Sequence, residues 1–188
     1  MTEPPNEVSF LEDLKHKYIN RFKYYKILGD QTLDRLSEDE LHWLPTEHSN
    51  SVAIIAKHCA GNMLSRWTDF LTTDGEKLWR NRDSEFEDDI ESKTDLLTYW
   101  EKGWKCLFNA IENLSESDFH KKVFIRNEPH TVPDAINRQL AHYAYHVGQM
   151  VFIGKMIMGE NWKSLSIPKN SSEEFNRKMN SKTNKNTG

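Results

Sequence analysis

Cysteine is scarce in this chain, and its scarcity excludes most of the chemistry that sulfur supports. Only Cys59 and Cys106 occur in 188 residues, with no CxxC spacing. Neither a disulfide framework nor a cysteine zinc cluster can be built from them, and both read as reduced residues inside helical patterns. Glycine and proline are also few, 8 and 6, which excludes collagen-like and low-complexity architectures. No apolar run approaches the ~18 residues that a membrane span requires. Positive charge is not in excess: the net charge is -4, so neither nucleic acid nor membrane is an expected partner. The opening MTEPPNEVSF lacks the basic start and apolar run of a signal peptide, and a cytoplasmic location is expected.

What is present is a helix-leaning composition, 37% hydrophobic and 29% charged. Apolar residues recur at helical spacing over residues 8–36, where Phe10, Leu14, Tyr18, Phe22 and Tyr25 form one stripe and Gly29-Asp30 is a candidate break. Ser37 and Glu40 have capping-box spacing for a short turn before Pro45. A second helix is expected from Ser49 or Asn50, as cap, to about residue 71. A polar, charge-dense connection follows. A third helix over residues 93–114 carries Leu96, Trp100, Trp104, Leu107 and Ile111. Val123-Ile125 and the Asn127-Glu128 turn signal suggest a small extended element. The last long helix, 131–159, opens on a Thr131 cap with Pro133 in its first turn and closes on Gly159. Trp162, Leu165 and Ile167 are expected to pack back on it. The expected organisation is one domain over residues 1–175 and a disordered polar tail over 176–188. Four long helices in one domain point to an all-α four-helix bundle.

Chemistry gathers in the last of these helices. His142 and His146 are four residues apart in an otherwise apolar stretch, so their imidazoles leave one face a turn apart. That spacing suits two nitrogens on one ion, although an HxxxH pair alone is a weak motif. His58 lies in the second helix, on a line with Ser51, Asn62, Ser65 and Asp69 that either faces solvent or lines a pocket. Three imidazoles from two neighbouring helices plus water would make an open site for a divalent ion such as Zn²⁺ or Ni²⁺. Spacing leaves that reading beside another, in which His58 is a satisfied core residue and the pair serves an interface. Gln139, Gln149 and Asn62 could hold imidazoles or a metal-bound water, or serve plain packing or solvation instead. His130 lies ~18 Å of helix rise from His142 and cannot share its ion. His16, His42, His48 and His120 are expected at the surface. No residue stands out as a general base; Glu128 and Asp69 are the carboxylates to test, and Arg126 or Arg138 could hold an anionic substrate.

The order of helices, with NSVAIIAKH in the second and AHYAYHVGQ in the fourth, resembles the DinB/YfiT-like superfamily of metal-binding four-helix bundles over most of the chain. The resemblance implies an up-down-down-up bundle whose divalent metal ligands are His58, His142 and His146. It further implies a metal-dependent enzyme acting on a small-molecule substrate, with S-transfer from a low-molecular-weight thiol ahead of hydrolysis. The alternative is a non-catalytic, metal-stabilised bundle serving as a stress-related or scaffold protein. A homodimer is compatible with either.

Overall fold

A computed structural model describes residues 9–183. The chain is mostly helical, with one two-stranded sheet. Helix α1 spans Phe10–Arg35, starting where the Ser9 hydroxyl accepts the Glu12 N–H, with Glu12 and Asp13 in the first turn complementing the helix dipole. It does not break at Gly29-Asp30. A Cβ at Gly29 would stand 2.6 Å from the Trp100 ring, and Asp30 accepts the Trp100 indole N–H at 2.7 Å. The pair that looked like a stop is a seat for a tryptophan. Helix α2, Glu38–Leu41, carries the expected Ser37/Glu40 capping box.

Helix α3 spans Val52–Trp67 and is capped by Ser51, whose side chain accepts the Ile54 N–H; neither Ser49 nor Asn50 takes that role. It also stops short of residue 71. Thr68 turns extended, and Asp69 takes a left-handed φ of 48°, which no helix continues through. Nearly every side of α3 is buried, so it is the central helix of the fold. Helix α4, Lys93–Glu112, starts at a Ser92 cap and meets α3 closely. A Cβ on Gly103 would lie 2.9 Å from the Ala60 Cα, so only glycine permits that approach.

Strands β1 (Lys122–Ile125) and β2 (Glu128–Thr131) pair antiparallel, with Ile125 opposite Glu128. Arg126 and Asn127 between them both have positive φ, 54° and 63°, the conformation of a tight two-residue hairpin turn. Asp74 holds that turn by accepting both N–H groups, at 2.9 and 2.7 Å. Helix α5, Val132–Met158, begins at the Thr131 cap and ends at Gly159, as its residues predict.

The core draws on all four long helices. Phe22 of α1, Trp104 of α4 and Tyr143 of α5 lie with ring centroids 5.9–6.5 Å apart, and Trp67 of α3 meets Phe22 edge-on at 6.1 Å. Phe22, Trp104 and Tyr143 are fully buried, each such side chain contributing about 1.5–3 kcal/mol or more. Trp162 packs over Gly154 and under the Arg35 guanidinium; Leu165 is half-buried and Ile167 exposed. The polar stretch after it is helical as α6, Ser172–Thr183, with Glu174 and Lys178 paired one turn apart. The expected tail from Asn176 therefore begins inside a helix, and its last residues, 184–188, lie outside the described residues.

Candidate metal centre

His58 sits at the middle of α3 and is 3% exposed. The solvent-facing alternative for its polar line does not hold. Ser51, Asn62 and Ser65 are all buried with it; Ser51 caps α3, Asn62 accepts the Tyr143 hydroxyl at 2.9 Å, and Ser65 donates to the Gly75 carbonyl. Only Asp69, past the helix end, is exposed.

Across from His58, His142 and His146 stand one turn apart on α5. The three imidazoles each offer a nitrogen, and these nitrogens lie within 4.8 Å of one another. His58 Nε2 and His142 Nε2 are 3.3 Å apart. Two nitrogens bound tetrahedrally to one ion at ~2.0–2.1 Å would be separated by about 3.3–3.4 Å, so this pair is already at the spacing an ion needs. The hydrogen bonds orient the rings correctly as well. His58 Nδ1–H donates to Glu85 Oε2 at 2.9 Å, and His146 Nδ1 faces Gln149 Oε1 at 3.3 Å. Each bond leaves Nε2 as a bare lone pair. His142 Nδ1 is buried without a partner.

Burial, followed by the neighbouring imidazoles, pushes the His142 pKa down to about 3. Burial and His58 push His146 down to about 4, against a Gln149 hydrogen bond that opposes the shift. Both rings are neutral at physiological pH, the state in which imidazole binds metal. Three imidazole donors fit a divalent ion and could hold one.

The partner of His58 comes from the charge-dense connection between α3 and α4. A 3₁₀ turn, Asp83–Phe86, lays Glu85 against His58 Nδ1 and stacks the Phe86 ring on the imidazole at 4.7 Å. Lys57 of α3 fixes that segment by donating to the Ser84 and Glu87 carbonyls and pairing with Asp89. Glu85 is 5% exposed and accepts two bonds from Arg80, both at 2.8 Å. Its burial works against ionisation, but the bonds from His58 and Arg80 outweigh that and hold its pKa below the usual carboxylate range. Imidazole, carboxylate and guanidinium thus form one buried chain that locks the His58 ring.

Residues 9–171 match the model of a family described as "Protein of unknown function (DUF1572)". The chain belongs to the DUF1572 family. No curated protein matches it.

In this DUF1572 chain the three histidines open on a cavity of about 370 Å³ that Asn62, Gln139, Arg126 and Arg138 also line. Of the side chains expected near the centre, Gln149 holds His146 and Asn62 is engaged by Tyr143. Gln139 is buried with its carbonyl oxygen unpartnered. Glu128 and Asp69 are exposed and line no part of the cavity. His42 pairs with Asp88 and His130 with Asp134, away from the centre. Sequence reasoning missed Glu85, Arg80 and Phe86. The signal for them was Phe86 in a mostly polar connection, an aromatic that packs on His58.

Proposed function

We propose that this chain is a divalent-metal-binding protein of the DinB/YfiT-like superfamily. In this reading the long helices run up-down-down-up and His58, His142 and His146 are the ligands of one ion, Zn²⁺ or Ni²⁺ suiting three imidazoles best. The observation that carries the reading is the convergence of three imidazole nitrogens within 4.8 Å on the wall of a cavity. The ring locking of His58 by Glu85 supports it, because metal-binding imidazoles are held through their second nitrogen by such carboxylates.

The proposed activity is S-transfer from a low-molecular-weight thiol to a small electrophile. A divalent ion held by His58, His142 and His146 would lower the pKa of a bound thiol and so supply the thiolate nucleophile at neutral pH. The thiolate sulfur forms the new C–S bond. In a substitution, the leaving group departs with the electron pair of the broken bond and the thiol proton passes to solvent. In an addition, the π pair shifts to the far atom, which takes up a proton from solvent in place of the one the thiol gave up. Among the described residues no carboxylate lines the cavity. That favours S-transfer over hydrolysis of the metalloprotease kind, which uses a carboxylate base. The chain's own contribution is to hold the imidazoles aligned and to shield the reacting groups with Phe86 and Gln139.

A second reading has the ion only fasten α3 to α5, and the direct approach of His58 to His142 favours it. Two experiments separate the readings. Incubating the metal-loaded protein with a panel of thiols and electrophiles should give an adduct that forms faster than with chelator-treated protein. If no thiol gives metal-dependent adduct, S-transfer is dropped. Titrating a thiol into Co²⁺-substituted protein should change its absorption spectrum if a position is open; an unchanged spectrum supports the fastening role.

A further inference from the structure

The cavity that the three histidines share is lined by five arginines, Arg66, Arg80, Arg82, Arg126 and Arg138, and, among the described residues, by no carboxylate. This is the opposite of the whole chain, where acidic residues outnumber basic ones. Three carboxylates stand behind the wall, and each is already engaged; Asp74 holds the Arg126–Asn127 turn. Glu85 is taken by Arg80 and His58. Glu76 Oε2 is shared by Arg66 at 3.1 Å, Arg80 at 3.4 Å and Arg126 at 3.2 Å. The five guanidiniums outnumber the carboxylates behind them, which leaves the wall positive, and concave low-dielectric walls focus such a field.

Donors remain unused. The Arg66 side chain is 6% exposed, yet its Nε and Nη1 are buried with no hydrogen-bond partner. A buried charged donor left unsatisfied is costly, so it is kept where something else completes it. Among the described residues Arg138 has no carboxylate within ion-pair distance and is exposed on α5. Arg82 lies over the Phe86 ring, 5.0 Å from its centroid, and the acidic residue beside it is the exposed Asp83 at 3.9 Å. Arg126 is presented by a turn of two left-handed residues that Asp74 clamps from below. A neighbouring cavity of about 680 Å³ shows the contrast. There Lys57 and Arg80 are offset by Asp89, Glu91 and Asp95, and the Arg80–Glu85 pair borders it.

We infer that the cavity above His58, His142 and His146 is an oxyanion site, which takes a small molecule bearing a carboxylate or phosphate group. It rests on the reading of that cavity as the substrate site. Guanidinium forks match the two oxygens of either group, and a cavity of about 370 Å³ admits a small molecule rather than a polymer. Arg138 and Arg82 form the exposed rim that meets the anion first, and Arg66 is the buried floor.

The test is calorimetric titration of inorganic phosphate and of malonate into full-length protein, metal-free and metal-loaded, with neutral malonamide as control. Either anion should bind saturably to the metal-free protein, malonamide should not bind, and Arg138→Gln should weaken binding about tenfold. Phosphate binding tighter than malonate marks a phosphate ligand, and the reverse marks a carboxylate; either supports the inference. Arg66→Gln should abolish binding, and because that variant could fail to fold, the exposed Arg138→Gln and Arg82→Gln variants are the deciding ones. No saturable binding of either anion overturns the inference, as does equal binding of malonamide or unchanged affinity in both rim variants. Anion binding that requires metal and ignores the rim variants overturns it while leaving the metal reading intact. Arginine-dependent binding in a protein that takes up no metal would do the reverse.

Discussion

Replacing Glu85 by Gln removes one charge from the centre of the structure while keeping its shape. Glu85 accepts three bonds, two from Arg80 and one from His58. A glutamine amide has one oxygen and one NH₂, so in either orientation a buried N–H faces another N–H. Arg80, whose side chain is 2% exposed, loses its close counter-charge. Breaking a buried ion pair from one side costs about 3–5 kcal/mol. Glu76 remains 3.4 Å from Arg80, so the loss should fall at the lower end, about 3 kcal/mol. Urea unfolding of chelator-treated protein reads this directly as a lowered midpoint at unchanged slope. Metal affinity should fall separately, by about 10–100-fold, because His58 loses the acceptor that fixes its tautomer. A variant within about 0.5 kcal/mol of the parent, with unchanged metal affinity, would refute the claim that Glu85 locks His58.

Three further variants and conditions probe the surroundings. Gly61→Ala should act like a charge-neutral version of the Glu85 change, since its Cβ would sit 2.5 Å from Glu85 Oε1; weaker metal binding is expected in a competition titration with a chromophoric chelator. Tyr143→Phe removes a hydroxyl that accepts from the Trp67 indole and donates to Asn62. It should cost about 1–3 kcal/mol in urea unfolding with no change in metal stoichiometry. The metal-free protein should lose stability in acid. His142 and His146 titrate at about 3 and about 4 when folded and near the ordinary 6.5 when unfolded. Between those values the unfolded chain binds more protons, so the contribution of these two histidines is level above about pH 7, falls below about 6.5 and levels again near 3–4, while carboxylates held below their usual range, such as Glu85, extend the loss to lower pH. Urea midpoints followed across that range check this, and an equally steep fall in a His142→Gln, His146→Gln double variant would contradict the assignment.

Much of this was legible in the residues, for identifiable reasons. The Ser37/Glu40 box, the Thr131 cap and the Gly159 stop are local signals, and local signals survive folding. His142 and His146 were legible because helical spacing alone brings them together. The Gly29-Asp30 pair misled because glycine in a helix marks either a break or a close contact, and the tryptophan that decides between them is remote in sequence. The polar line on α3 was ambiguous because a helical wheel separates polar from apolar but does not say what the polar side meets. Glu85 was the hardest to see. It lies in a stretch whose composition is that of a surface connection, and its burial depends on Lys57, Arg80 and His58 acting together.

The central claim is that His58, His142 and His146 hold one divalent ion, and elemental analysis of the purified protein tests it most directly. We expect about one ion per chain in the parent protein and none in a His142→Ala, His146→Ala double variant that still unfolds cooperatively. Full metal occupancy in that folded variant, or a parent protein that takes up no divalent ion from a metal-replete buffer, would contradict it.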